Sequence, residues 1–351
     1  MGRSVHRKTR GTAKQASDRR GASAWPWAAV PGGLDTCISP SRAARTTKTQ
    51  RARIDVCSLC ELKCPACVQT RGALGFVGRG WMPAEHFRRL LDNHPDLSEV
   101  ELSNWGEIFL NPELEDILKA AHERSVRVRA TNGVHLNRAS HQILEHLVRY
   151  GVRAMTVSID GATPSTYAQY RCGGDLTRVL ENVRHIVTAR ERTGSPYPVL
   201  TWQFIVFGHN EHEIDDAMAM AESLGMKFRL KLSSDELHSP VREKSRLRTE
   251  LGASSRSEWE ELHAAPYFVP CRQLWEEPQV NWNGRLLGCC INLWEDFGSV
   301  LENGLEACLQ HPRYEAMRRL VTGGSSDYDD LPCHRCRVLA AMARTRRFVA
   351  R

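Results

Sequence analysis

From residue 51 onward the chain alternates between short apolar or β-branched runs and longer stretches whose apolar residues recur at i, i+3 and i+4. The runs fall at 53–56, 100–104, 126–131, 154–159, 199–206 and 227–232, and each predicts a strand. Between them, 83–93, 113–124, 138–150, 176–192 and 211–224 carry the helical period. In the third of these, Ile143, Leu144, Leu147 and Val148 form one stripe, with Gln142, Glu145 and Arg149 off it. Helix starts are marked by proline in the first turn, at Met82-Pro83-Ala84-Glu85 and Asn111-Pro112-Glu113. Strand–helix alternation of this kind implies a parallel sheet with helices outside it. Six strands are too few for a closed eight-stranded barrel, so the expected fold is α/β: a partial (β/α)6 barrel over residues 51–235. Chemistry in such sheets sits beyond the C-terminal ends of the strands, so the residues following each run are the informative ones.

The alternation stops near residue 235. Residues 236–270 are charged and helix-like, a connector, and residues 271–336 hold six of the twelve cysteines. This last region also contains a hairpin signal, Val280-Asn281-Trp282-Asn283-Gly284-Arg285-Leu286-Leu287, with Asn-Gly at the turn. It is expected to form a small cysteine-rich second domain.

The net charge of +7 sits in the chain's ends. Residues 1–50 hold ten Lys/Arg against two Asp/Glu, and residues 337–351 hold five Arg and no acid. Residues 51–336 carry 33 basic and 39 acidic residues, so the body is mildly acidic and a folded basic groove for nucleic acid is not expected. Residues 1–50 have no sustained period and read as a disordered basic tail; an organelle transit peptide is the alternative for an Arg-rich, acid-poor leader. Residues 337–351 read as a basic C-terminal tail. No apolar stretch approaches the roughly 18 residues of a membrane span.

The cysteines fall at 37, 57, 60, 64, 67, 172, 271, 289, 290, 308, 333 and 336. No apolar core of a secretory signal follows Arg3, Arg7, Lys8 and Arg10, so clustered thiols point to bound metal in a reducing cytoplasm rather than to a disulfide scaffold. Cys57-Ser58-Leu59-Cys60-Glu61-Leu62-Lys63-Cys64-Pro65-Ala66-Cys67 places four thiols directly after the first strand. Structural zinc sites usually separate their cysteine pairs by a dozen or more residues, and a ferredoxin run has a different order. The subset Cys60-x3-Cys64-x2-Cys67 suits three irons of a cubane, with the fourth iron left open for substrate-like groups. This spacing at the end of a first strand resembles the signature of the radical S-adenosylmethionine (SAM) enzymes, with Cys57 spare.

Further segments strengthen the resemblance. Ser103-Asn104-Trp105-Gly106-Glu107-Ile108, after the second run, is similar to the family's Gly-Gly-Glu segment, with Trp105 at the first Gly and Ile108 at a frequent Pro. By resemblance the backbone at Gly106 and Glu107 receives the SAM amino group. Thr131-Asn132-Gly133 follows the third run. After the fourth come Ser158-Ile159-Asp160-Gly161-Ala162-Thr163-Pro164 and Tyr170-Arg171-Cys172-Gly173-Gly174. These look like the SAM-facing rim, and the resemblance implies that Asn132, Ser158, Asp160 and Arg171 contact the cofactor's polar parts.

Cys271-x12-Gly284-x4-Cys289 and Cys333-x2-Cys336 resemble the C-terminal SPASM domain in its shortened, single-cluster form, sometimes called twitch. The resemblance implies a second 4Fe-4S cluster held by Cys271, Cys289, Cys333 and Cys336; Cys290, next to Cys289, is the alternative ligand, and zinc in the same thiols is the alternative metal. SAM, the two clusters and an electron donor such as flavodoxin or ferredoxin would generate a 5′-deoxyadenosyl radical. A fully ligated second cluster suits electron acceptance, hence oxidation of the substrate; a thiol donating hydrogen, from Cys172 or Cys290, would give epimerisation instead. Enzymes of this subgroup act on sugars, aminocyclitols, nucleosides or ribosomal peptides. Residues 1–50 are too few and too polar for a peptide-binding winged helix, so the expected substrate is a small polar metabolite, as in antibiotic biosynthesis. Gln203, His209, Asn210, Lys231 and Asp235 are further candidates to line the cavity. A non-catalytic module stapled by two metal sites is the remaining alternative.

Overall fold

A computed structural model describes residues 49–350. The expected basic tail over 1–50 thus lies almost wholly outside the described residues. Strand and helix alternate as β1 (Arg51–Ile54), α1 (Ala84–Asn93), β2 (Glu99–Glu101), α2 (Leu114–Glu123), β3 (Arg127–Val134), α3 (His141–Arg149), β4 (Ala154–Ser158), α4 (Pro164–Tyr170), α5 (Leu176–Thr193), β5 (Val199–Val206), α6 (Ile214–Ser223) and β6 (Lys227–Leu232). The six strands pair in sequence order and in parallel, from β1 to β6. This is the expected partial barrel, open between its first and last strands.

Alternation along each strand separates two environments. On β5, Leu200, Trp202, Phe204 and Val206 are buried in the core beneath the helices, while Thr201 and Gln203 take the opposite, lumen-facing side. The lumen is charged. Arg53, Glu101 and Arg129 stand side by side on β1, β2 and β3. Arg53 bonds Glu277 at 3.3 Å, and Arg129 pairs with both Glu99 and Glu277, so this half of the lumen is internally neutralised. Glu101 accepts from Ser103 Oγ at 2.6 Å and from the Thr131 amide at 2.8 Å, and together with the Arg53 charge these hold its carboxyl below the usual range despite burial.

The connector folds as α7 (Lys244–Leu251) and α8 (Arg256–His263), followed by α9 (Gln273–Glu276). The cysteine-rich segment does not stand apart from the barrel. Its hairpin, β7 (Gln279–Val280) and β8 (Leu286–Gly288), extends the same sheet, with β7 parallel to β1, giving the order β6-β5-β4-β3-β2-β1-β7-β8. The Asn-Gly turn is present, with Gly284 at φ +80°, a conformation glycine adopts without a Cβ penalty. Beyond it lie α10 (Leu305–Leu309), α11 (Pro312–Val321) and α12 (Arg337–Thr345).

Three expectations are corrected. Residues 337–345 are helix, not tail: Val338, Ala341 and Met342 form a buried stripe, and the Cys271 thiol lies 3.9 Å from the Met342 sulfur. The arginines that suggested a tail sit on the other face of that helix or beyond its end. The first strand begins earlier than its apolar run, at Arg51, because Arg51 and Arg53 are lumen-side residues of a charged interior. The third strand runs on through Val134, so Asn132 and Gly133 lie within it rather than after it.

Candidate active site

The loop leaving β1 brings three thiols together. Cys60, Cys64 and Cys67 pack with Leu62, Ala66, Ile205, Phe207 and Tyr170 in one small apolar cluster at the C-terminal ends of the strands. Cys57 is excluded: it is fully buried, bridges to Trp81 and donates its thiol to the Leu59 carbonyl at 3.9 Å. The loop is held from several sides. The Lys63 amide donates to the Cys172 carbonyl at 2.9 Å, tying it to the end of α4. Arg71 bonds the Pro65 carbonyl at 2.9 Å and pairs with Asp235 after β6. Asp235 is therefore a clamp on the cysteine loop rather than a group lining the cavity.

Gly106 is where the β2 exit meets this loop. A Cβ there would stand 2.3 Å from the Cys57 carbonyl oxygen and 2.6 Å from that of Leu59, and the next amide, of Glu107, donates to Leu59 O at 2.7 Å. Only glycine permits that approach. The Glu107 side chain is fully buried and accepts from the His135 amide at 2.7 Å. Burial pushes its carboxyl up to about 8.

His135 was not singled out by the sequence, although it follows the third strand where strand-end chemistry is expected. Its Nδ1 accepts from the Asn137 amide at 3.2 Å, which places the proton on Nε2. Nε2 lies 3.1 Å from Glu107 Oε2, 3.5 Å from Glu61 Oε2 and 3.6 Å from Cys60 Sγ. Burial, with the Arg171 charge acting in the same direction, drives the imidazole down to about 3, so it faces Cys60 as a neutral N–H donor.

The rim beyond β4 holds a buried ion pair. Arg171 Nε donates to Asp160 Oδ2 at 2.6 Å, and Asp160 Oδ1 accepts from the Ile205 amide at 2.6 Å. Asp160 is fully buried, and each of its oxygens already accepts a hydrogen bond within the protein. The Arg171 guanidinium also reaches Cys64 Sγ, at 3.9 Å. Ser158 is buried and accepts from Gln203 Nε2 at 3.4 Å, beneath Gly133. Gly133 has φ +126°, and a Cβ on it would come within 2.8 Å of the Ser158 hydroxyl. Asn132 is exposed and donates to Asn104 Oδ1 at 3.1 Å; Asn104 in turn donates to the Cys290 carbonyl at 3.4 Å, linking the rim to the cysteine-rich segment. Asn210 is committed to backbone, bonding the carbonyls of Asp160 and Ile205 and the Phe207 amide, and so supports strand ends instead of lining a cavity. His209 bonds Ser239 Oγ at 2.9 Å.

The second group of thiols comprises Cys271, Cys289, Cys333 and Cys336. Cys289 lies within electrostatic reach of its neighbour Cys290, then of Cys333 and Cys271, and Cys333 of Cys271 and Cys336. Cys290 is adjacent to this group and acts on both Cys271 and Cys289, but its amide donates to Gln273 Oε1 at 2.8 Å and its buried thiol senses Arg53 and Glu277 of the lumen. Cys308 is buried 3.2 Å from the space a Gly298 Cβ would fill, a core position apart from both groups. Among the described residues every cysteine is a free thiol. Burial pushes Cys60 and Cys271 up to about 12 and raises Cys64, Cys289 and Cys333 as well. Grouped, buried, unoxidised thiols of this kind fit iron, which binds them as thiolates and reverses that shift.

Comparison with known proteins agrees with this geometry. Residues 54–221 match the model of the radical SAM superfamily, and residues 271–337 match that of the SPASM iron-sulfur cluster-binding domain. The chain belongs to the radical SAM superfamily, in the group with a C-terminal SPASM domain, and its cofactors are SAM and 4Fe-4S clusters. A GTP 3′,8-cyclase of Alkaliphilus oremlandii (strain OhILAs) is 25% identical over 182 residues, 50% of this chain and 54% of that protein. An AdoMet-dependent heme synthase of Methanosarcina barkeri (strain Fusaro / DSM 804) is 27% identical over 163 residues, 45% of this chain and 44% of that protein. The chain thus spans about half the length of the curated relatives it matches. Streptococcus suis SuiB bound to S-adenosylmethionine shares the fold, with a TM-score of 0.58 at 14% identity over 83% of this chain and 69% of SuiB. No helix among the described residues is long and apolar enough to cross a membrane.

Proposed function

We propose that this radical SAM enzyme removes hydrogen from a carbon of a small polar metabolite and oxidises it. The observation that carries the reading is the three-thiol group itself: Cys60, Cys64 and Cys67 converge at the strand ends, Cys57 is turned away, and a polar lumen lies behind them. Cys60, Cys64 and Cys67 would hold the SAM-binding cluster, and Cys271, Cys289, Cys333 and Cys336 the second one. When bound, these groups supply a hydrogen-abstracting 5′-deoxyadenosyl radical and an electron acceptor, a combination that suits oxidation.

The protein's own part is positioning. The Gly106–Glu107 backbone, together with Asn132 and Ser158, faces the SAM site; Arg171 offers its charge there, with Asp160 as the positioning residue that fixes the guanidinium at 2.6 Å. His135 holds a proton toward Cys60. Oxidation is favoured over epimerisation by where the spare thiols sit. Cys172, just past the end of α4, donates to the Gln169 carbonyl of that helix at 3.6 Å, and Cys290 is buried beside Arg53.

Anaerobic reconstitution tests the reading: about eight irons per chain are expected, as two four-iron clusters require, with reductive release of 5′-deoxyadenosine. Cys64→Ala should abolish SAM cleavage, while Cys333→Ala should spare uncoupled cleavage and stop product formation. Zinc at both sites with no SAM turnover would refute the enzyme, and product formation surviving in Cys333→Ala would refute the oxidation.

A further inference from the structure

The two halves of the lumen differ in charge balance. On β1–β3 every lumen cation has a carboxylate partner. On the opposite side, the edge strand β6 places Arg229 opposite Gln203 of β5 and Lys231 opposite Ile205, one step further along the same face. Gln203 Oε1 accepts from Arg229 Nη2 at 2.7 Å and from Lys231 Nζ at 3.4 Å. Arg256, at the start of α8, closes the group: its Nε donates to the Leu232 carbonyl at 3.0 Å and its guanidinium lies over the Tyr267 ring at 4.9 Å. Arg229, Lys231 and Arg256 form no ion pair with a carboxylate among the described residues. Asp160, the acid that Lys231 senses, is already paired with Arg171.

Three neighbouring cations repel one another, and water screens them less as protein surrounds them. Lys231 registers this: burial, then the charges of Arg256 and Arg229, bring its ammonium down to about 7. Arg229 remains open to water and Lys231 and Arg256 are partly so, so a solute can reach the group. Like charges gathered together create a positive potential that raises the local concentration of anions. The group is also wired to the SAM rim, because Gln203 bonds the two cations with its carbonyl oxygen and Ser158 with its amide nitrogen.

We infer that Arg229, Lys231 and Arg256 form a binding subsite for an anionic group, a carboxylate or a phosphate, so that the metabolite oxidised here carries negative charge. This inference rests on the proposed function for the reaction but not for the binding. Glu260 and Glu236 act on Arg256, and Asp160 on Lys231, without forming an ion pair, so a neutral sugar or cyclitol would leave the three cations without a direct partner.

Calorimetric titration of the anaerobically reconstituted, SAM-loaded chain with inorganic pyrophosphate, sodium malonate and glucose tests it. At least one anion should bind at millimolar concentration or better, and glucose should not. Arg229→Gln/Lys231→Met should weaken anion binding at least tenfold, while the charge-preserving Lys231→Arg should retain it; circular dichroism and SAM titration establish that each variant is folded. Pyrophosphate binding tighter than malonate identifies a phosphate group, and the reverse a carboxylate. Binding of neither anion, or equal binding by the double variant, overturns the subsite. Failure of the radical reading would show separately, as absence of 5′-deoxyadenosine from the parent enzyme.

Discussion

Gly106→Ala should disable the enzyme without removing any proposed cluster ligand. The added methyl carbon would stand 2.3 Å from the Cys57 carbonyl oxygen, 2.6 Å from the Leu59 oxygen and 2.6 Å from the Ser58 carbonyl carbon, all backbone atoms of the segment entering the cysteine loop. Real Cβ contacts start near 3.0 Å, so that segment has to retreat by about 0.7 Å. The retreat stretches the Glu107 N–H···O bond to Leu59, now 2.7 Å, and shifts Cys60 relative to Cys64 and Cys67. Overpacking of this kind costs about 1–3 kcal/mol where side chains can adjust, and here only main chain is available to move. The expected result is a fall of several degrees in the melting midpoint and loss of about half the iron, that of the first cluster only. Gly75→Ala is the matched control: it lies in the same loop region, its φ is ordinary and nothing stands within 4 Å of its added carbon. Iron content and 5′-deoxyadenosine yield are measured for both variants after identical anaerobic reconstitution. If Gly106→Ala reconstitutes and turns over like Gly75→Ala, the close approach is not what shapes the loop.

Other outcomes follow from the same packing. Arg171→Ala leaves the Asp160 carboxylate buried without its partner at 2.6 Å, and breaking such a pair costs about 3–5 kcal/mol; urea denaturation should show that loss, and Arg171→Ala/Asp160→Asn should recover much of it. Cys289→Ser should reduce iron from about eight to about four per chain, whereas Cys290→Ser should keep about eight, because Cys289 senses Cys333 while Cys290 senses Arg53 and Glu277; equal loss in both would put the ligand assignment in error. Malonate binding should weaken as pH rises from 7 to 9: Lys231, lowered to about 7 by burial and by Arg256, Arg229 and Arg171 against Asp160 alone, loses its charge over that range. An anion favours the protonated form, so binding takes up a proton, and Lys231→Arg should flatten the dependence. A pH-independent affinity in the parent would remove Lys231 from the site.

The sequence by itself determined the order of the six strands and of every helix through β6 except the short α4, since those helices carry an apolar stripe and each strand a buried face of local residues. It also pointed to the segments beyond the strand ends, because in a parallel sheet all strand ends open on one side; the gathering of Cys60, Cys64 and Cys67 there, with Arg171 beside Cys64 and Ser158 at the end of β4, was legible in outline for that reason. Tertiary structure decided the partnerships. Nothing local to Asp160 shows that Arg171 occupies it, nor that Asn210 and Asp235 are committed to holding strand ends and the cysteine loop. The hairpin's joining of the main sheet through β1, and the docking of residues 337–345 as a helix against Cys271, depend on contacts more than two hundred and about seventy residues apart in sequence. Lys231 was legible as a candidate to line the cavity, but its grouping was not, for the same reason: Arg229 reads as an alternating polar residue of an edge strand, and Arg256 as one charge among many in a connector. Charge balance is a property of what lies nearby in space, which periodicity along a chain does not encode.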